Sequence, residues 1–138
     1  SAPSPVPSAT PAPVTTVVAR GNFAGLQPTD PEEDPEDFYI LFFNTTQTGT
    51  LDVTVDWTNA SNDVDFLLLT GTLEQAMSPA CQALDESDCP LEIVTVAVSL
   101  DKPEVATLSN AAPGGYIVAV ANFGTTNESG IVVVRLTT

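Results

Sequence analysis

Eighteen acidic residues, three basic ones and no histidine bound the chemistry available to this chain. Without histidine, the Ser-His and Cys-His pairs of nucleophilic catalysis are excluded. The one lysine, Lys102, precedes Pro103 in what reads as a turn. Eighteen acids supply many carboxylate pairs of the glycosidase kind, but a small sandwich offers no predictable deep cleft, so the chain is read as non-catalytic. Cation binding is the chemistry that remains for the acids. They are densest in "QPTDPEEDPEDF", six acids and three prolines. Closely spaced carboxylates on a proline-stiffened loop present hard oxygen ligands of the type calcium takes. The plainer reading of the same segment is a solvated linker, and both stand at this point.

The formal net charge of −15 disfavours nucleic acid and anionic membrane surfaces, which need clustered Lys and Arg. It also makes the surface repel itself unless cations or a partner intervene. No apolar run reaches the roughly eighteen residues of a membrane span. Cys81 and Cys89 sit in "CQALDESDCP" and, with no other Cys or His, cannot build an ordinary zinc site. They are read as a local disulfide in preference to free thiols, stabilising by about 2–3 kcal/mol on a chain-entropy estimate. A disulfide, a start at Ser that suggests a processed form, and sequons at Asn44, Asn59 and Asn127 all point to a secreted, extracellular protein.

The elements that must position these groups are strands. "LDVTVDW" alternates strictly, placing Leu51, Val53, Val55 and Trp57 on one face and Asp52, Thr54 and Asp56 on the other. "DFYILFF", "DVDFLLLT", "LEIVTVAVSL", "YIVAVANF" and "GIVVVRLTT" are β-branched or aromatic runs bounded by turn residues, with "TVVARGNF" and "EVATLS" as weaker members. Only "TLEQAM" has helical character. About eight strands with short loops predict an all-β fold, an antiparallel β-sandwich of jelly-roll type, with Leu51, Val53, Val55, Trp57, Val118 and Val120 in its core.

From Phe38 onward the chain resembles the bacterial prepeptidase C-terminal (PPC) domain family. The likeness rests on "EDFYILFF", "TGTLDVTVDW", "NDVDFLLL" and "APGGYIVAVANFG", in that order. It implies a jelly-roll-like sandwich in a secreted protein, and related collagen-binding modules hold calcium through linker acids and acids near the D-x-D strand. Carried over, Asp63 and Asp65 match the two acids of D-x-D, with Phe66 where that motif has Leu, and Tyr116 matches the aromatic of G-x-Y. Asp30, Glu32, Glu33 and Asp34 lie where those relatives place linker ligands. The expected calcium ligands are therefore drawn from Asp30, Glu32, Glu33, Asp34, Asp63 and Asp65. The same residues have plainer roles: turn capping for Asp63 and Asp65, and core packing for Tyr116 and Trp57.

Ahead of the sandwich stands "SAPSPVPSATPAPVTTVVARGNF". Thirteen residues in polyproline II reach about 40 Å, whereas a domain of this size is roughly 35 Å across. Residues 1–19 are thus expected to form an extended arm ahead of a domain at 20–138. Pro11 and Pro13 would lie across a neighbouring copy, and Val14, Thr16, Val17 and Val18 would add a strand to its sheet edge. Such a head-to-tail contact yields rings or filaments. The expected function is an extracellular subunit that self-assembles with copies of itself. The alternative is a secreted, non-catalytic PPC-type module that binds an extracellular polysaccharide or protein.

Overall fold

Burial follows the alternation that the sequence carries. In β3 (Gly49–Trp57), Leu51, Val53 and Val55 are fully buried and Trp57 nearly so, while the intervening acids and threonine face outward. The computed structural model describes residues 2–5, 10–30, 32, 37–82 and 89–138. Within these it contains β1 (Thr15–Leu26), β2 (Tyr39–Thr45), β3, β4 (Val64–Thr70), β5 (Glu92–Ala97), β6 (Glu104–Ala111), β7 (Gly114–Asn122) and β8 (Glu128–Thr137). Two single turns of helix, α1 (Leu73–Ala76) and α2 (Pro79–Gln82), fall between β4 and β5. The first is closed by a capping box between Thr72 and Gln75.

The strands form two four-stranded sheets, in the orders β1-β8-β3-β6 and β2-β7-β4-β5, and every pairing is antiparallel. The chain changes sheet at each connection except β4 to β5, which is the winding of a jelly roll. That exception carries α1, α2 and the Cys81–Cys89 disulfide. The expected core residues, Leu51, Val53, Val55, Trp57, Val118 and Val120, are all buried, packed with Phe23, Phe43, Phe66 and Leu68 from the surrounding strands. Full burial of each such side chain stabilises the fold by about 1.5–3 kcal/mol.

One expectation is corrected. Residues 15–19 do not wait for a neighbour but form the first part of β1 in their own sheet. Thr15 stands opposite Thr137, Thr16 opposite Leu136 and Val17 opposite Arg135. Val14 and Thr138 exchange both backbone hydrogen bonds. The boundary expected between residues 19 and 20 therefore falls inside a continuous strand, and Val18 is packed against the core rather than offered to a neighbour. The physical reason is proximity: β8 presents an edge in the same chain, so pairing there needs no second molecule. A register shift between Val17 and Ala19 bulges this edge strand, a device that discourages further strand addition.

One end of the sandwich is closed by buried polar groups. Asn62 donates to Glu128 at 2.8 Å and to the Thr126 hydroxyl at 3.0 Å, and accepts from the Thr125 amide. Glu128 also receives the amides of Thr58, Asn59 and Ser129. Asn122, fully buried, donates to the carbonyls of Leu26 and Thr126 and accepts from Gly124. Trp57 completes the set by donating its indole N–H to the Asn62 carbonyl. Gly124 is held so close that a Cβ there would sit 2.1 Å from the Asn62 side-chain oxygen. Burial alone would raise the Glu128 pKa, but the hydrogen bonds from Asn62 and the three amides more than offset it and hold the carboxyl below its ordinary value. Glu128→Ala removes the acceptor of four hydrogen bonds, from Asn62 and three amides, and should cost about 3 kcal/mol. Urea unfolding should show a lower midpoint with an unchanged slope; an unchanged midpoint would mean that the network contributes nothing.

Candidate functional site

The polar closure fixes the point where β4 begins, and Asp63 and Asp65 lie there. Asp63 directly follows Asn62, and its carbonyl accepts from the Phe123 amide at 2.7 Å. The strand's inward phase is taken by Val64 and Phe66, which places both aspartates on the outward side, where they are half-buried. One carboxylate oxygen of each, Oδ1, is buried without a hydrogen-bond partner among the described residues. Nearby, Glu104 is 2% exposed, and its carboxylate is occupied by the Ser99 amide and hydroxyl at 2.7 and 2.9 Å.

Three carboxyls in one neighbourhood resist ionising together. Burial, followed by repulsion from Asp63 and from Glu104, pushes Asp65 up to about 7. Asp63 is also raised, by burial and then by Glu104, with its interaction with Asp65 acting in the opposite direction. The pair can therefore share one proton, with Asp65 as the donor. In place of that proton it can offer two hard oxygens to a cation.

Of the six expected calcium ligands, Asp30, Glu32, Asp63 and Asp65 lie among the described residues, and these four do not form one cluster. Asp63 and Asp65 meet. Asp30 and Glu32 are exposed, and Asp30 accepts the Glu32 amide in a local turn. Glu33 and Asp34 lie outside the described residues. Among the described residues, no group of three or more Asp, Glu, His or Cys side chains stands so as to hold a metal ion. Calcium takes six to eight oxygens, so the pair has the right donor chemistry without a full set. Another linker acid, Asp37, accepts the Gln27 amide across the base of the segment and serves the loop's closure.

The remaining site residues have structural roles. Tyr116 is buried, stacks on Phe43 with ring centroids 5.5 Å apart, and donates its hydroxyl to the Ala112 carbonyl. On the first sheet's outer face, Lys102 pairs with Asp56 at 2.8 Å and lies over the Trp57 ring. That ion pair keeps the Asp56 carboxyl below its ordinary range. The bond between Cys81 and Cys89 is present. Of the arm residues, Pro11, Pro13, Val14, Thr16 and Val17 are exposed. Sequence reasoning missed Glu104, whose burial depends on the fold bringing Ser99 over it; the sequence holds no local signal for that contact.

The winding and the strand orders define an eight-stranded jelly-roll domain. No protein-family model matches the chain, and no curated protein matches it. Among solved structures, Yersinia pseudotuberculosis-derived mitogen is similar over 92% of this chain and 87% of that one, with a TM-score of 0.52 and 11% identity. At that identity the likeness concerns the fold alone.

The acid pair makes a prediction about pH. Because the folded-state pKa of Asp65 is raised, the folded chain keeps a proton that the unfolded chain has lost. Its contribution to stability is fully present below the ordinary value of 3.8 and is lost as pH rises through about 7. Without added metal, Asp65→Asn should match the wild type near pH 4 and exceed its melting temperature near pH 8. Parallel stability profiles for the two chains would show that Asp65 is not perturbed.

Proposed function

We propose that this protein is an extracellular structural subunit that assembles with copies of itself through its proline-rich arm. One observation carries the reading. Every described residue of the arm, 2–5 and 10–13, is exposed, and nothing before Arg20 is charged, on a chain whose net charge is −15. Bodies of the same high net charge repel one another, and contact through uncharged surface adds nothing to that repulsion. An uncharged, proline-rich tether loses little entropy on docking and brings few backbone donors that need partners. The arm in this proposal is residues 1–13, since the strand that follows belongs to its own domain.

Calcium binding at Asp63 and Asp65 is the second part of the reading. The unpartnered buried oxygens and the mutual repulsion of the two carboxyls support it. The same pair favours the alternative of a calcium-dependent PPC-type binding module, in which the domain works as a single copy. Light scattering and electron microscopy of the full chain and of a chain lacking residues 1–13 separate the two. Assembly proposes large particles for the full chain and monomers for the truncated one. Equal assembly of both chains would remove the arm from the account. A monomeric full chain whose melting temperature rises with calcium, and does not in Asp65→Asn, would put the binding module first.

A further inference from the structure

A sheet that covers a core on one side ordinarily shows polar side chains on the other. The first sheet obeys: one of its outer rungs sets Val17, Arg135, Asp52 and Thr107 side by side. The second sheet does not. Its registers align Ile40, Ala119, Leu67 and Val96 across all four strands, and Phe42, Ile117, Leu69 and Ile93 in the next outward rung. These two rungs are apolar from edge to edge. At their centre Ala119 and Ile117 are buried, but Ile40 and Phe42 are 40% and 38% exposed on one edge strand, and Ile93 and Val96 are 58% and 50% exposed on the other. Apolar patches of this continuity mark surfaces that something covers.

We propose that this face receives the proline-rich arm of a second copy. The inference rests on the arm-mediated assembly above and names its acceptor. Size argues against the simpler alternative of two such faces meeting. Four strands at about 4.8 Å and two rungs along them span roughly 19 by 14 Å. That is a fraction of the ~800 Å² per partner of a stable interface, and it would have to hold together two bodies of charge −15. An extended arm suits the dimensions better. About six residues at 3.1 Å each cross the sheet, and thirteen leave several to bridge from the neighbouring domain.

The chemistry also fits. The two outward rungs offer hydrocarbon and one aromatic ring, at Phe42, with no side-chain hydrogen-bonding group. Residues 1–13 consist only of Pro, Ala, Ser, Thr and Val. Proline-rich segments dock on apolar, aromatic-bearing surfaces because their conformation is set before binding. The arm leaves from β1, on the edge of the other sheet, and its described residues are exposed.

A photo-reactive amino acid at Val96 of the full chain tests the contact. Light chains carrying the probe are mixed with isotopically heavy wild-type chains, and the cross-links are mapped by mass spectrometry. Cross-links from Val96 to heavy residues 2–13 are expected. In parallel, Ile40→Thr with Val96→Thr, which keeps β-branched residues on the strands, should raise the concentration needed for assembly by about tenfold or more while leaving circular dichroism unchanged. Cross-links to the same face of another copy, or to the arm of the same chain, would overturn the proposal. If removal of residues 1–13 stops assembly but Val96 captures no arm, the acceptor is wrong and the arm-mediated reading stands. If the full chain is monomeric, both fall.

Discussion

Everything at one end of the sandwich depends on three buried polar side chains having all their partners. Asn62, Asn122 and Glu128 would each be costly to bury alone. Asn62 and Glu128 satisfy each other and the backbone of the β3–β4 and β7–β8 loops, and Asn122 ties the β7–β8 loop to the end of β1. The loops are thereby held by the core rather than by solvent. The start of β4 inherits that rigidity, which is why two aspartates can be kept together against their repulsion.

Charge organises the remainder. With acids outnumbering bases 18 to 3, the surface has little cationic material to spend on pairing. Lys102 is committed to Asp56, and Arg135 stands opposite Asp52 in the same sheet. The first sheet's outer face is therefore where charges are balanced. The second sheet's outer face avoids the problem by carrying almost no charge, and Asp65 at its margin is the exception that is pushed toward neutrality.

Much of this was legible in the residues. "LDVTVDW" announced a half-buried strand because the side-chain period of a strand is two, and the core residues named from it are buried. The number of strands and the disulfide followed from turn chemistry and from two cysteines with no other partner. Pairing was less accessible. Residues 15–17 look the same in sequence whether they join β8 of their own chain or of another, because a ladder bond records nothing about connectivity. The apolar second face did leave a signal: "YILFF", "FLLL" and "YIVAVA" are continuous apolar runs rather than alternating ones, as expected of strands covered on both sides. Glu104, Asn62 and Asn122 gave none, because only the closed fold decides that they are inside. The scattered acids of the linker and of β4 suggested one cation site, whereas among the described residues only Asp63 and Asp65 come together.

The mutual bond pair between Val14 and Thr138 has a mechanical meaning. Both ends of the domain leave through one corner, at the same end of the antiparallel ladder between β1 and β8. A pull between the two termini opens that ladder like a zip, one rung after another, and meets little resistance. A pull between the arm and the body of the sandwich runs along β1 and strains all of its rungs at once. The strength of this domain under tension is set by the points at which the force is applied, more than by the number of bonds it contains.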